Sequence, residues 1–182
     1  MSRISTPATT EDAPEASRAL LGAVQKQLGS VPNLFRIVSN SPAALEGYLG
    51  LQGALGQGKL DPATRERIAL AVAETNGCGY CLAAHAYLGK NLARLSDAEI
   101  SANRNGGSTD AKADAAVGFA AEIARNRGQV TADRVETVKA AGYNDAEVVE
   151  MIAHVALNTL TNYVNEVLGT EIDFPQVDSL AA

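Results

Sequence analysis

The chain has 182 residues, enough for one domain with a core of its own. Apolar residues make up 46%, charged residues 20% and aromatic residues only 4%, so Ala, Leu and Val must build the interior, which favours packed helices over a sandwich or barrel. A net charge of -6 without any basic stripe excludes a nucleic-acid binder and argues against an anionic membrane as partner.

Residues 1–17 are polar, lack the apolar core of a signal peptide, and read as a flexible N-terminal arm. Residues 18–182 are expected to form one helical domain. Leu20, Leu21, Val24 and Leu28 recur at helical spacing and stop near Gly29. A short segment follows over Leu34 to Val38. Ser41-Pro42 and Asp61-Pro62 each pair a cap with Pro at the first helical position, opening helices to about Leu55 and Asn76. Another helix is expected from about Cys78 to Ala93. Ser96-Asp97-Ala98-Glu99 has capping-box form, and residues 103–108 read as a loop. Further helices open at Thr109 or Asp110 and at Thr131. Asn144-Asp145-Ala146-Glu147 starts the last long helix, which should reach Leu168 before Gly169. No strand-type alternation appears, so the fold class is all-α. No apolar run spans a bilayer.

A shift of 84 residues places Asp61 on Asp145, Glu66 on Glu150, Ile68 on Ile152, Ala69 on Ala153 and Thr75 on Thr159. The echo suggests two packed helical hairpins. Cys78 and Cys81 fall on Asn162 and Asn165, so the second copy carries no thiol.

The chemistry concentrates in Cys78-Gly79-Tyr80-Cys81 and His85. Residues three and four apart share a helix face, so both thiols and the imidazole lie on one stripe. The free N–H groups and dipole of a helix N-terminus favour thiolate over thiol. An ordinary cysteine is about 3% thiolate at pH 7, and C-x-x-C motifs reach far higher fractions. His85 can take or return the proton, and Glu66 on the preceding helix can orient it.

Other readings weigh less. A structural zinc site needs four ligands, and Cys78, Cys81, His85 and His154 exhaust the Cys and His of the chain. A disulfide across so short a loop adds little stability and is reduced in a cytoplasmic compartment, the expected location. His154 reads as a core or interface histidine, and Tyr80, Tyr87 and Tyr163 as packing residues. No cofactor is called for.

The spacing Glu66, Cys78, Cys81, His85 resembles the signature of the alkylhydroperoxidase D-like (AhpD-like) group of the carboxymuconolactone decarboxylase superfamily. Val31-Pro32-Asn33-Leu34-Phe35, Ser41-Pro42 and the stretch from Thr161 to Pro175 are similar to its peroxidase-related branch, so the resemblance covers about residues 30 to 175. It implies an all-helical AhpD-like fold, oligomeric as a trimer or hexamer, and a thiol-dependent hydroperoxide reductase. It assigns attack to Cys81, resolution to Cys78 and a proton relay to Glu66 and His85. Helix-terminus electrostatics alone would have favoured Cys78, as the more exposed thiol. Tyr80 stands where the best-known members carry histidine, and a phenol is no base at pH 7.

The expected partners are a small hydroperoxide and a protein or small-molecule dithiol reductant. The competing functions are a disulfide-exchange redox adaptor, a carboxymuconolactone decarboxylase-type enzyme, for which the intact dithiol is superfluous, and a non-enzymatic helical oligomerisation module.

Overall fold

The computed structural model describes residues 2–177. Among them are nine helices and no strand: α1 (Glu15–Leu28), α2 (Asn33–Val38), α3 (Pro42–Gly56), α4 (Pro62–Asn76), α5 (Gly79–Asn91), α6 (Asp97–Arg104), α7 (Ala111–Arg125), α8 (Ala132–Ala140) and α9 (Asp145–Leu168). The all-α expectation holds. Most boundaries follow local capping chemistry. Ser41 and Asp61 accept from the N–H groups of Ala44 and Thr64, with Pro next in line. Asn144 and Glu147 form the full capping box that starts α9.

Two caps depart from expectation. Thr131 occupies the cap position of α8 in extended conformation, but its hydroxyl makes no capping bond. Ser96 caps α6, whereas Glu99 does not return to the Ser96 backbone. Its buried carboxylate instead accepts from Arg67, Asn103, Ser108 and Thr109. These donors outcompete the Ser96 N–H, and they hold the Glu99 carboxyl far below the usual range despite its burial.

Helix α4 is the axis of the molecule. Ile68 through Ala73 are all buried, because α5, α6, α7 and α9 surround it. One core cluster joins α1, α2, α3, α5 and α9 and contains both cysteines. A second, around Phe119 and Met151, joins α4, α7, α8 and α9. Helix α4 ends at Gly77, in left-handed conformation at φ 69°, while the Cys78 N–H returns to the Ala73 carbonyl at 2.9 Å. That turn folds α5 back along α4. The matching position in the 84-residue echo is Thr161, and α9 runs through it unbroken. The second copy is one straight helix rather than a hairpin, since no glycine there admits the left-handed turn.

Part of the expected arm is already structured, for Glu15 to Ser17 lie in α1. Upstream, the Arg3 N–H donates to the Leu168 carbonyl at 2.7 Å, and Arg36 and Asn40 donate to the carbonyls of Ala8 and Ser5. Among the described residues no helix is long and apolar enough to cross a membrane.

Candidate active site

Cys78 occupies the N-cap of α5, where its sulfur accepts from the Cys81 N–H at 3.3 Å. The two sulfurs lie 2.8 Å apart as free thiols. One turn further, His85 Nδ1 meets Glu66 Oε2 at 2.8 Å across the α4–α5 hairpin. All four residues expected at the site therefore converge. The exposure expected of Cys78 is not found: Cys78 is 0% and Cys81 3% exposed. Apolar side chains of α1 to α3 cover the helix N-terminus, which sequence spacing does not reveal. The His85 and Glu66 side chains are 22% and 23% exposed, so solvent reaches the site from the relay side.

Two asparagines complete the cradle. Asn165 Nδ2 donates to the Cys81 sulfur at 3.2 Å. Asn162 is wholly buried and accepts from Asn76 at 2.8 Å. Both stand one echo period from the cysteines. That coincidence was the only local signal for them.

The electrostatics separate the two thiols. The S–H of Cys78 donates to Cys81, and this bond outweighs burial, so with the positive field of His85 and the Asn165 and Asn162 amides the Cys81 thiol is lowered to about 6. Cys78 is pushed strongly upward by giving its proton to that bond and by burial. The donated bond, rather than helix-terminus position, decides which sulfur ionises. Burial opposes protonation of His85, but the Glu66 charge and hydrogen bond and the Cys81 charge raise it above its ordinary value. The site thus favours a thiolate–imidazolium pair.

Tyr80 has a different task from that of a base. Its hydroxyl accepts from the Leu34 N–H at 3.1 Å and donates to Asp173 at 2.8 Å. Asp173 also accepts from the Asn33 N–H at 2.8 Å. Phe174 stacks edge-on against Tyr80 and tilted against Tyr87. The segment after α9 is thereby fastened over α5. Burial raises the Tyr80 phenol further, so it stays neutral. Tyr163 is not a packing residue: it is 59% exposed. His154 is buried on α9 as expected, and burial lowers it to about 4, leaving it neutral. Among the described residues no group of three or more His, Cys, Asp or Glu could hold a metal ion.

Residues 42–126, from α3 to just past α7, match the model of the Carboxymuconolactone decarboxylase family. The match covers just under half of the chain. The matched segment contains Glu66, Cys78, Cys81 and His85, while Asn162 and Asn165 lie beyond it. No curated protein matches the chain. Among solved structures, the alkylhydroperoxidase AhpD core of Ralstonia eutropha JMP134, an uncharacterized peroxidase-related protein, superposes with a TM-score of 0.83 at 23% identity, over 94% of this chain and 92% of that one. A peroxidase-related protein of Silicibacter sp. TM1040 gives 0.81 at 22% identity, over 93% and 91%. The debrominase Bmp8, as a cysteine-to-alanine variant with 2,3,4-tribromopyrrole, gives 0.79 at 18% identity, over 95% and 94%. At these identities the likeness is one of fold.

Proposed function

We propose that the protein is a thiol-dependent hydroperoxide reductase. The observation that carries this reading is the polarised thiol pair, with Cys81 lowered toward thiolate by a sulfur 2.8 Å away and backed by the His85–Glu66 contact. The Cys81 thiolate attacks the terminal oxygen of a hydroperoxide and the O–O bond breaks. The sulfur gains that oxygen as sulfenic acid, and the alkoxide leaves with the proton that His85 carries, while Glu66 steadies the imidazole. Cys78 then attacks the oxidised sulfur, an S–S bond forms, and water leaves. An external dithiol returns two electrons and two protons by exchange, restoring both thiols. The net reaction turns one hydroperoxide and one dithiol into an alcohol, water and a disulfide.

Burial of both sulfurs favours a small first oxidant over a folded protein disulfide, which ranks this reading above a redox adaptor. The purified protein should consume an organic hydroperoxide in the presence of dithiothreitol. Cys81→Ser should abolish turnover, and Cys78→Ser should stop at a trappable sulfenic acid. Full activity in Cys81→Ser would refute the proposal.

A second reading is favoured by the structural likeness to a debrominase. A thiolate that attacks oxygen can also take a halogen from an electron-rich ring, the carbon gaining a proton while the sulfenyl halide is resolved by Cys78. Bromide release from 2,3,4-tribromopyrrole, without hydroperoxide turnover, would favour it.

A further inference from the structure

Tyr48 is a core residue with a hydroxyl that the fold does not use. Its ring stands on α3 in the cluster that contains Cys78 and Cys81, 8% exposed and tilted against Phe35 at a centroid distance of 5.8 Å. The other buried tyrosines engage their hydroxyls, Tyr80 with Leu34 and Asp173, Tyr143 with Thr64. Among the described residues the Tyr48 hydroxyl has no hydrogen-bond partner. Phenylalanine fills the same space without giving up a bond to water, so packing alone does not account for the phenol.

The groups around it are those of the reaction. Burial, then the charges of Cys81 and Glu66, push the Tyr48 phenol upward, so it keeps its proton and remains a donor wherever the protein is folded. A charge acts on a phenol only from nearby, and these two belong to the nucleophile and to the carboxylate behind His85.

Cys81 also has an acceptor beside it. Asn165 is 3% exposed, and its Nδ2 donates to the Cys81 sulfur at 3.2 Å. The Oδ1 of the same amide is buried with no partner among the described residues. The two heteroatoms of one amide are about 2.3 Å apart, so this oxygen stands next to the nucleophile. An acceptor there does nothing for a thiolate, which has no proton to give. It suits a molecule that brings an O–H to the sulfur.

We propose that Asn165 and Tyr48 bind the two oxygens of a hydroperoxide at Cys81. Asn165 Oδ1 accepts from the terminal O–H, and the Tyr48 hydroxyl donates to the oxygen that bears the alkyl group. This rests on the reading of the protein as a hydroperoxide reductase and names its substrate contacts. The Cys81 sulfur gives an electron pair to the terminal oxygen, the O–O bond breaks, and its pair leaves on the alkyl oxygen. That oxygen takes the His85 proton and becomes an alcohol, while Tyr48 keeps its own proton and only donates a hydrogen bond to the growing charge. The terminal oxygen keeps its proton, still held by Asn165, and becomes the S–OH of the sulfenic acid. The substrate class that fits has hydrogen on the attacked oxygen and a lone pair on the next, as alkyl hydroperoxides and hydrogen peroxide do. A dialkyl peroxide offers no O–H to Asn165.

Two rates on the reduced full chain at pH 7 test this: oxidation of the thiol pair by tert-butyl hydroperoxide, and alkylation of Cys81 by iodoacetamide, each followed by mass spectrometry. Both scale with the thiolate fraction, so their ratio cancels any change in the acidity of Cys81. Tyr48→Phe removes a hydroxyl on which no protein group depends, and the ratio of oxidation to alkylation should fall about tenfold or more. Asn165→Leu should lower the ratio to a similar degree, with Asn165→Ala in its place should that variant unfold by circular dichroism. A role in packing or in thiol acidity alone leaves the ratio at its parental value. A ratio kept within about threefold in Tyr48→Phe, or in the folded Asn165 variant, would overturn the proposal while leaving the reductase reading intact. A parent that alkylates at Cys81 but is not oxidised by the hydroperoxide would overturn both.

Discussion

Asn165 reaches across 84 residues of sequence to donate its side-chain amide to the Cys81 sulfur at 3.2 Å. A hydrogen bond to a charged acceptor is worth about 1.5–3 kcal/mol, which equals one to two pH units of acidity. Alkylation of Cys81 by iodoacetamide should therefore rise with pH about a midpoint near 6, well below that of a free thiol. In Asn165→Leu the midpoint should move up by about one unit or more. An unchanged midpoint would show that the Cys78 bond and His85 suffice without the amide.

The Glu66–His85 contact carries a second prediction. Glu66, by charge and hydrogen bond, is the larger of the two groups that hold His85 above its ordinary value against burial, ahead of the Cys81 charge. Glu66→Gln removes that charge, so the imidazolium that protonates the leaving alkoxide is populated only at lower pH. Peroxide turnover at pH 7 should fall about 10²-fold, with the optimum displaced toward acid. The helical content should stay the same, because both side chains are partly exposed. A fall without any displacement of the pH profile would assign Glu66 a positional role only.

The reach of the sequence is clearest at the caps and weakest across the core. Ser41-Pro42, Asp61-Pro62 and Asn144 to Glu147 are local devices, and each sits where its residues say. The Glu66, Cys78, Cys81, His85 constellation was legible because one tight turn at Gly77 brings the four together. Asn165 and Asp173 belong to segments 84 and 93 residues away from their partners on α5. Nothing near them in the chain announces those contacts. Glu99 was misread for the opposite reason: its local pattern is that of a capping box, and Arg67, Ser108 and Thr109 from outside the helix, with Asn103 one turn on, claim the carboxylate first.

Tyr80 reads in the sequence as a packing residue that is no base at pH 7, and its hydroxyl also fastens the segment after α9. Tyr80→Phe keeps the ring against Phe174 but leaves the Leu34 N–H without its acceptor and removes one of the donors to Asp173. The loss should cost about 1–3 kcal/mol. Amide hydrogen exchange should quicken over residues 171–177, and alkylation of the buried thiols should accelerate with it. A variant that loses peroxide turnover while exchange and alkylation stay at parental rates would instead make the phenol a donor to substrate.

His154 sets part of the acid limit of the fold. It is 5% exposed, its Nε2 has no partner among the described residues, and burial lowers it to about 4. The unfolded chain binds this proton at an ordinary histidine pKa near 6.5, so as pH falls the unfolded state takes it up first. The stability His154 contributes is whole above pH 6.5 and is lost as pH falls from 6.5 through about 4, up to about 3 kcal/mol. Urea unfolding at pH 7 and pH 4.5 should show this loss in the parent. His154→Gln cannot titrate and should lose correspondingly less over the same interval. Equal losses in the two proteins would move the acid sensitivity to the carboxylates, Glu99 foremost, whose lowered pKa gives the same sign at lower pH.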